Sequence, residues 1–90
     1  MPSVVVDGAA ASVVSFSPWV SPSASFLESN MTYKGRLGGI EVHWTAYASD
    51  GVKLWEGDVQ HPSLNAGETG RVSIMNPHMD TTARIVVSVD

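Results

Sequence analysis

The chain has 90 residues, of which 43% are hydrophobic and 16% charged, and it contains no cysteine. These values predict one globular domain spanning residues 1–90, whose modest core is held by apolar burial and strand pairing, without disulfides or thiolate metal sites. Five basic and nine acidic residues give a formal net charge of -4, which argues against nucleic-acid or anionic-membrane partners. The first ten residues lack the features of a signal peptide, and no apolar run reaches membrane-spanning length. The absence of cysteine leaves the compartment open, since cytosolic proteins, bacterial surface domains and virus-particle components can all lack it.

The chain opens with a short β-branched run. Val4, Val5 and Val6 are followed by Asp7-Gly8, which predicts a strand ended by a turn. Residues 1–11 are therefore predicted to form an edge strand, or an arm able to add to the sheet edge of a neighbouring molecule. A second strand is predicted over residues 12–17.

A serine- and proline-rich loop comes next. Pro18 and Pro22 remove backbone donors and so exclude a central strand. Trp19 lies between them, where an exposed indole could stack on a sugar ring or enter a pocket of a partner. The alternative is that Trp19 folds back and caps one end of the sandwich.

Residues 26–37 give a less distinct pattern. Residues 31–33 fit a short strand, and a single helical turn over residues 27–31 is the competing interpretation. Gly35, Gly38 and Gly39 are expected to end this segment.

The clearest prediction is a β-hairpin over residues 39–59. Apolar and polar residues alternate from Ile40 to Tyr47, the period of a strand with one buried face, and Asp50-Gly51 favours a two-residue type I′ turn. With that turn, the predicted inner-face pairs are Ala46–Trp55, Trp44–Gly57 and Val42–Val59. The predicted outer-face pairs are Tyr47–Leu54, Thr45–Glu56, His43–Asp58 and Glu41–Gln60.

The hairpin register suggests two surface features. Tyr47 and Leu54 would meet on the outer face with Val52 close by, and a contiguous exposed apolar patch usually marks an interface. His43 would pair with Asp58, which predicts a raised imidazole pKa.

Catalytic and metal sites are not predicted. The three histidines lack ligand spacing, no thiolates accompany them, and the carboxylates are scattered. Serine is abundant, but no Gly-x-Ser-x-Gly motif occurs. We therefore expect neither an enzyme nor a cofactor.

The remainder of the chain predicts further short strands at residues 71–75 and 83–89, separated by a loop at residues 76–80. About seven short strands with regularly spaced turn signals predict an all-β fold, a small antiparallel β-sandwich.

Four segments carry a resemblance to a known family. They are Glu41–Tyr47, Asp50-Gly51, Leu64–Glu68 and Ile85–Asp90. In this order they resemble the second half of immunoglobulin-like sandwiches of the bacterial adhesion-related (CARDB-like) kind. The resemblance implies a non-catalytic module in adhesion, extracellular display or phage particles, and it implies no ligand.

Two functions follow as hypotheses. The first is a structural module that self-associates or docks on a larger assembly, such as a decoration-type virus or phage protein. It would act through Val52, Leu54 and Tyr47 and through strand addition by residues 4–6. The alternative is a small carbohydrate-binding module with Trp19 as its stacking surface.

Overall fold

The computed structural model describes residues 2–20, 25–35 and 41–89. Within these residues, seven strands form two sheets, which confirms the predicted all-β sandwich. The strands are β1 (Ser3–Val6), β2 (Val14–Phe16), β3 (Phe26–Tyr33), β4 (Val42–Tyr47), β5 (Lys53–Asp58), β6 (Thr69–Met75) and β7 (Arg84–Val89). A one-turn helix, α1 (Gly8–Ala11), and a 3-10 helix (Met79–Thr81) complete the described elements.

The four-stranded sheet has the order β1-β7-β4-β5, and the three-stranded sheet has the order β2-β3-β6. Most neighbouring strands are antiparallel, as predicted, but β1 runs parallel to β7. These two strands lie at opposite ends of the sequence, so no tight hairpin turn fixes their relative direction.

The core lies between the two sheets and is filled by alternate residues of their strands. Ile85 and Val87 of β7 are fully buried, as their alternation predicts. The other core residues contributed by β3, β4 and β6 are Leu27, Met31, Tyr33, Val42, Trp44, Ala46, Val72 and Ile74.

The segment with the least distinct pattern is the central strand of the three-stranded sheet. β3 runs for eight residues, so the competing helical turn over residues 27–31 is wrong. Ser29 occupies a buried position among the apolar ones and interrupts the hydrophobic alternation. Its hydroxyl donates a 2.7 Å hydrogen bond to the carbonyl of Ser17, which compensates for its burial.

The strand predicted over residues 12–17 is shorter than expected, because α1 precedes it. Asp7 caps this turn by accepting a 2.9 Å hydrogen bond from the Ala9 amide, and Ala10 is fully buried. Pro22, Gly38, Gly39 and Ile40 lie outside the described residues.

The loop after β6 is held by a buried asparagine. The Asn76 side chain donates to Thr82 Oγ1 over 2.9 Å and accepts from the His78 amide over 2.9 Å. These bonds fix the path of the chain between β6 and β7.

Candidate interaction surface

The body of the β4–β5 hairpin has the predicted register. The observed partners are His43–Asp58, Trp44–Gly57, Thr45–Glu56 and Ala46–Trp55. The Trp44 indole covers Gly57, since a Cβ atom built there would lie 3.1 Å from Trp44 Cζ2. Trp44 Nε1 also donates a 3.2 Å hydrogen bond to the Asp58 carbonyl. This packing anchors the hairpin to the core.

The end of the hairpin differs from the prediction. Val59 still donates to the Val42 carbonyl over 2.8 Å, but Gln60 pairs with Ser73 of the three-stranded sheet. Pairing with β4 therefore ends at Val59, and the predicted Glu41–Gln60 pair is not formed.

The turn is also different from the predicted two-residue type. The Gly51 amide donates to the Ala48 carbonyl over 2.9 Å, and the Ala48 amide donates to the Val52 carbonyl over 2.9 Å. The loop is therefore three residues long, with Gly51 at a φ of 88°. Asp-Gly serves this geometry as well, because glycine accepts the left-handed position that closes a three-residue loop.

A β-bulge lies between this turn and the hairpin body. Tyr47 pairs with Lys53 whereas Ala46 pairs with Trp55, so Leu54 is an extra residue on β5. The predicted Tyr47–Leu54 pair is therefore wrong. The longer loop shifts the register by one residue, and the bulge shifts it back.

Three apolar side chains near the tip form a surface that we call the hairpin patch: Val52, Leu54 and Trp55. Val52 is 57% exposed, Trp55 is 49% exposed and Leu54 is half-buried. Leu54 and Trp55 line an open depression of about 350 Å³ together with Lys53 and Glu56. Lys53 and Glu56 form a 3.0 Å ion pair, which places charges beside an apolar centre, as in many protein interfaces.

The prediction that Trp55 belongs to the core is wrong. It lies opposite the buried Ala46, but β5 is the edge of a four-stranded sheet that faces only three strands. Half of the indole is consequently exposed, and its ring lies 5.4 Å from that of His78. The charged Lys53, two residues before Trp55 and so on the same side of a regular strand, is the one feature of the sequence that indicates an edge strand here.

Tyr47 was predicted to join this surface. The structure places it half-buried, with the Arg84 guanidinium 4.9 Å from its ring centroid. Its ring therefore packs against β7 rather than against Leu54.

The predicted arm residues form part of the chain's own sheet. Val4, Val5 and Val6 pair with Ile85, Val86 and Val87. Val4 and Val6 pack against the core while Val5 is 47% exposed. β1 is thus the outer strand of its sheet, and its second edge faces away from β7.

Trp19 is half-buried and packs against the core. Its ring stacks on Phe16, with centroids 5.1 Å apart and 30° between the planes. Both side chains line an open groove of about 500 Å³ between the edge strands β1 and β2. Of the two interpretations of Trp19, the structure matches the one in which it folds back onto the sandwich.

The outer face of the four-stranded sheet is polar where β4 pairs with β5. His43 Nδ1 lies 2.6 Å from Asp58 Oδ1, and its Nε2 lies 3.7 Å from Glu41 Oε2. His43 and Asp58 line a shallow cleft of about 380 Å³ that Thr45 and Ser88 also line. Within the described residues, no group of three or more histidine, aspartate or glutamate side chains could hold a metal ion.

In the described ranges, no helix is both long and apolar enough to cross a membrane. Comparison of the chain with protein-family models, curated proteins and solved structures found no significant match.

Proposed function

We propose that this protein is a non-enzymatic interaction module that docks on a protein partner through the hairpin patch. The observation that supports the proposal is the exposure of two apolar side chains only three residues apart in the chain, Val52 in the turn and Trp55 on the edge strand β5. Burying apolar surface contributes about 25 cal/mol per Å², and aromatic side chains at an interface supply much of that area.

The most concrete form of this function is an accessory protein of a virus or phage particle. A small domain that occupies many equivalent positions on a lattice gains from multivalency, because weak single contacts then add up to stable attachment. The likeness of its second half to immunoglobulin-like adhesion and display modules supports the same class of function.

The experiment compares recovery of partner proteins from source-cell extracts by three forms of the chain. One is the wild type, one carries Val52→Ser and Trp55→Ser, and a matched control carries Phe26→Ser and Met75→Ser. Phe26 and Met75 are a directly paired apolar set on the other sheet, 36% and 55% exposed. We expect the wild type and the control to recover the same protein and the patch variant to lose it. Equal recovery by all three forms would refute docking through the patch.

A small carbohydrate-binding module is the second candidate, and one observation favours it. Trp55 presents an indole that is 49% exposed beside charged and polar side chains, as a sugar-stacking surface requires, whereas Trp19 is stacked on Phe16. A glycan array with Trp55→Ala and Trp19→Ala tests both positions. Binding lost only with Trp55→Ala would support this candidate, and a blank array for the wild type would eliminate it.

A further inference from the structure

The outer edge of β1 carries unpaired backbone groups. The amides of Ser3 and Asp7 donate to the carbonyls of Ala83 and Val87 over 3.1 and 2.8 Å. The backbone N–H and C=O groups of the odd-numbered residues in this segment therefore point toward β7. Because backbone polar groups alternate along a strand, the N–H and C=O groups of Val4 and Val6 point to the opposite edge. No described strand pairs with that edge.

Two other sheet edges in the described structure are protected against pairing. β5 carries Lys53, Glu56 and Asp58, and charged side chains disfavour edge-to-edge contact. The free edge of β6 is covered by Gln60, which exchanges backbone hydrogen bonds of 2.9 and 3.0 Å with Ser73. β1 has neither protection, since its residues are one serine and three valines.

A partly apolar opening lies next to this unprotected edge. The groove between β1 and β2 is lined by the apolar side chains of Val4, Val6, Val14, Phe16 and Trp19, and also by Ser15, Ser17 and Lys34. An added strand would therefore find backbone partners at its side and apolar surface beneath it.

We propose that the β1 edge binds a second copy of this chain, with the two β1 strands antiparallel around a two-fold axis at Val5. Val4 of each copy then exchanges backbone hydrogen bonds with Val6 of the other, and the two four-stranded sheets become one. Asp7 of each copy lies opposite Ser3 of the other, so the two Asp7 carboxylates do not face each other. The same geometry extends each groove into that of its mate, which supplies the apolar burial of an isologous interface.

The two Val5 side chains meet in this arrangement. They form a non-hydrogen-bonded pair, in which Cα atoms lie about 4.5 Å apart, within the range that a disulfide spans. The exposed position of Val5 on the outer face is then explained by contact with its own mate. This inference goes beyond the proposed function, because it uses a different surface, the β1 edge, and a different partner, a second copy of the chain.

Cysteine cross-linking tests the register directly, since the natural chain has no cysteine. Val5→Cys is expected to form a covalent dimer under mild oxidation. Ser3→Cys is the matched control, because it is exposed on the same face of the same strand but lies far from its symmetry mate. Cross-linking of Val5→Cys but not of Ser3→Cys supports the proposal, and equal or absent cross-linking of both overturns it.

Val4→Pro tests the hydrogen bonds. It removes an amide that faces away from β7, a position where an edge strand accepts proline. Light scattering should show a dimer for the wild type and a dissociation constant raised about tenfold or more for Val4→Pro. Circular dichroism should show the same fold. A monomeric wild type, or a Val4→Pro variant that is folded and equally dimeric, overturns the inference. The Val52→Ser, Trp55→Ser variant should remain dimeric, so failure of patch docking and failure of dimerisation are separate results.

Discussion

Replacing Gly57 with alanine should destabilise the protein through a single close approach. A Cβ atom at this position would lie 3.1 Å from Trp44 Cζ2 and 3.2 Å from both Cε2 and Nε1. Trp44 is 2% exposed and is held by its bond to the Asp58 carbonyl, so it has little room to move. Overpacking of this kind costs about 1–3 kcal/mol, and removing a strand glycine returns about 0.5–1 kcal/mol. The middle of these two ranges leaves a net loss of about 1 kcal/mol in the free energy of unfolding.

Urea unfolding followed by circular dichroism measures this loss. Gly8→Ala is the control, because no atom lies within 4 Å of the added Cβ, and its stability should be unchanged or slightly raised. In a Trp44→Leu background the indole atoms that crowd the added Cβ are absent, so Gly57→Ala should destabilise the protein less than in the wild type. A Gly57→Ala protein as stable as the wild type would refute the packing of the indole on Gly57.

Three further predictions concern the core, the loop and the polar face. Trp44→Ala should lower the free energy of unfolding, measured in urea, by about 3–5 kcal/mol. Trp55→Ala should lower it by less than about 1 kcal/mol, and similar losses for the two variants would contradict the different burial of the two side chains. Asn76→Ala should lower the free energy of unfolding by about 2 kcal/mol, because the His78 amide loses its acceptor and a small cavity remains. An unchanged unfolding midpoint would contradict the role of Asn76 in holding the loop between β6 and β7. Asp58→Asn should lower the pKa of His43 in an NMR titration, because the carboxylate favours the protonated imidazole. A His43 pKa unaffected by Asp58→Asn would exclude the pairing.

The hairpin shows what local patterns can predict. Alternation predicts which residues of β4 face the core. The predicted register of the body rests on a two-residue turn, and it matches the structure because the bulge at Leu54 cancels the shift that the longer loop introduces. The turn was not determined, because Asp50-Gly51 suits both a two-residue and a three-residue loop. The bulge at Leu54 accompanies the three-residue loop, and no further sequence pattern predicts it.

The errors in the candidate site arise from long-range structure. Periodicity assigns Trp55 to the inner side of its strand, but exposure depends on whether that strand lies at the centre or the edge of a sheet. The direction of β1 likewise depends on pairing with β7, some eighty residues along the chain. In β3, a buried serine satisfied by a distant carbonyl concealed the alternation. The sequence alone did not specify these tertiary contacts.

The extra residue on β5 has a consequence for how the hairpin is used. If Leu54 were deleted, Tyr47 could still face Lys53 and Ala46 could still face Trp55, and a regular hairpin with the same loop would result. Strand pairing therefore does not require this residue. Bulges are often found beside functional positions, and here the bulge presents a leucine beside an exposed tryptophan. A hairpin that has been shortened in this way should fold normally and test whether Leu54 serves recognition alone.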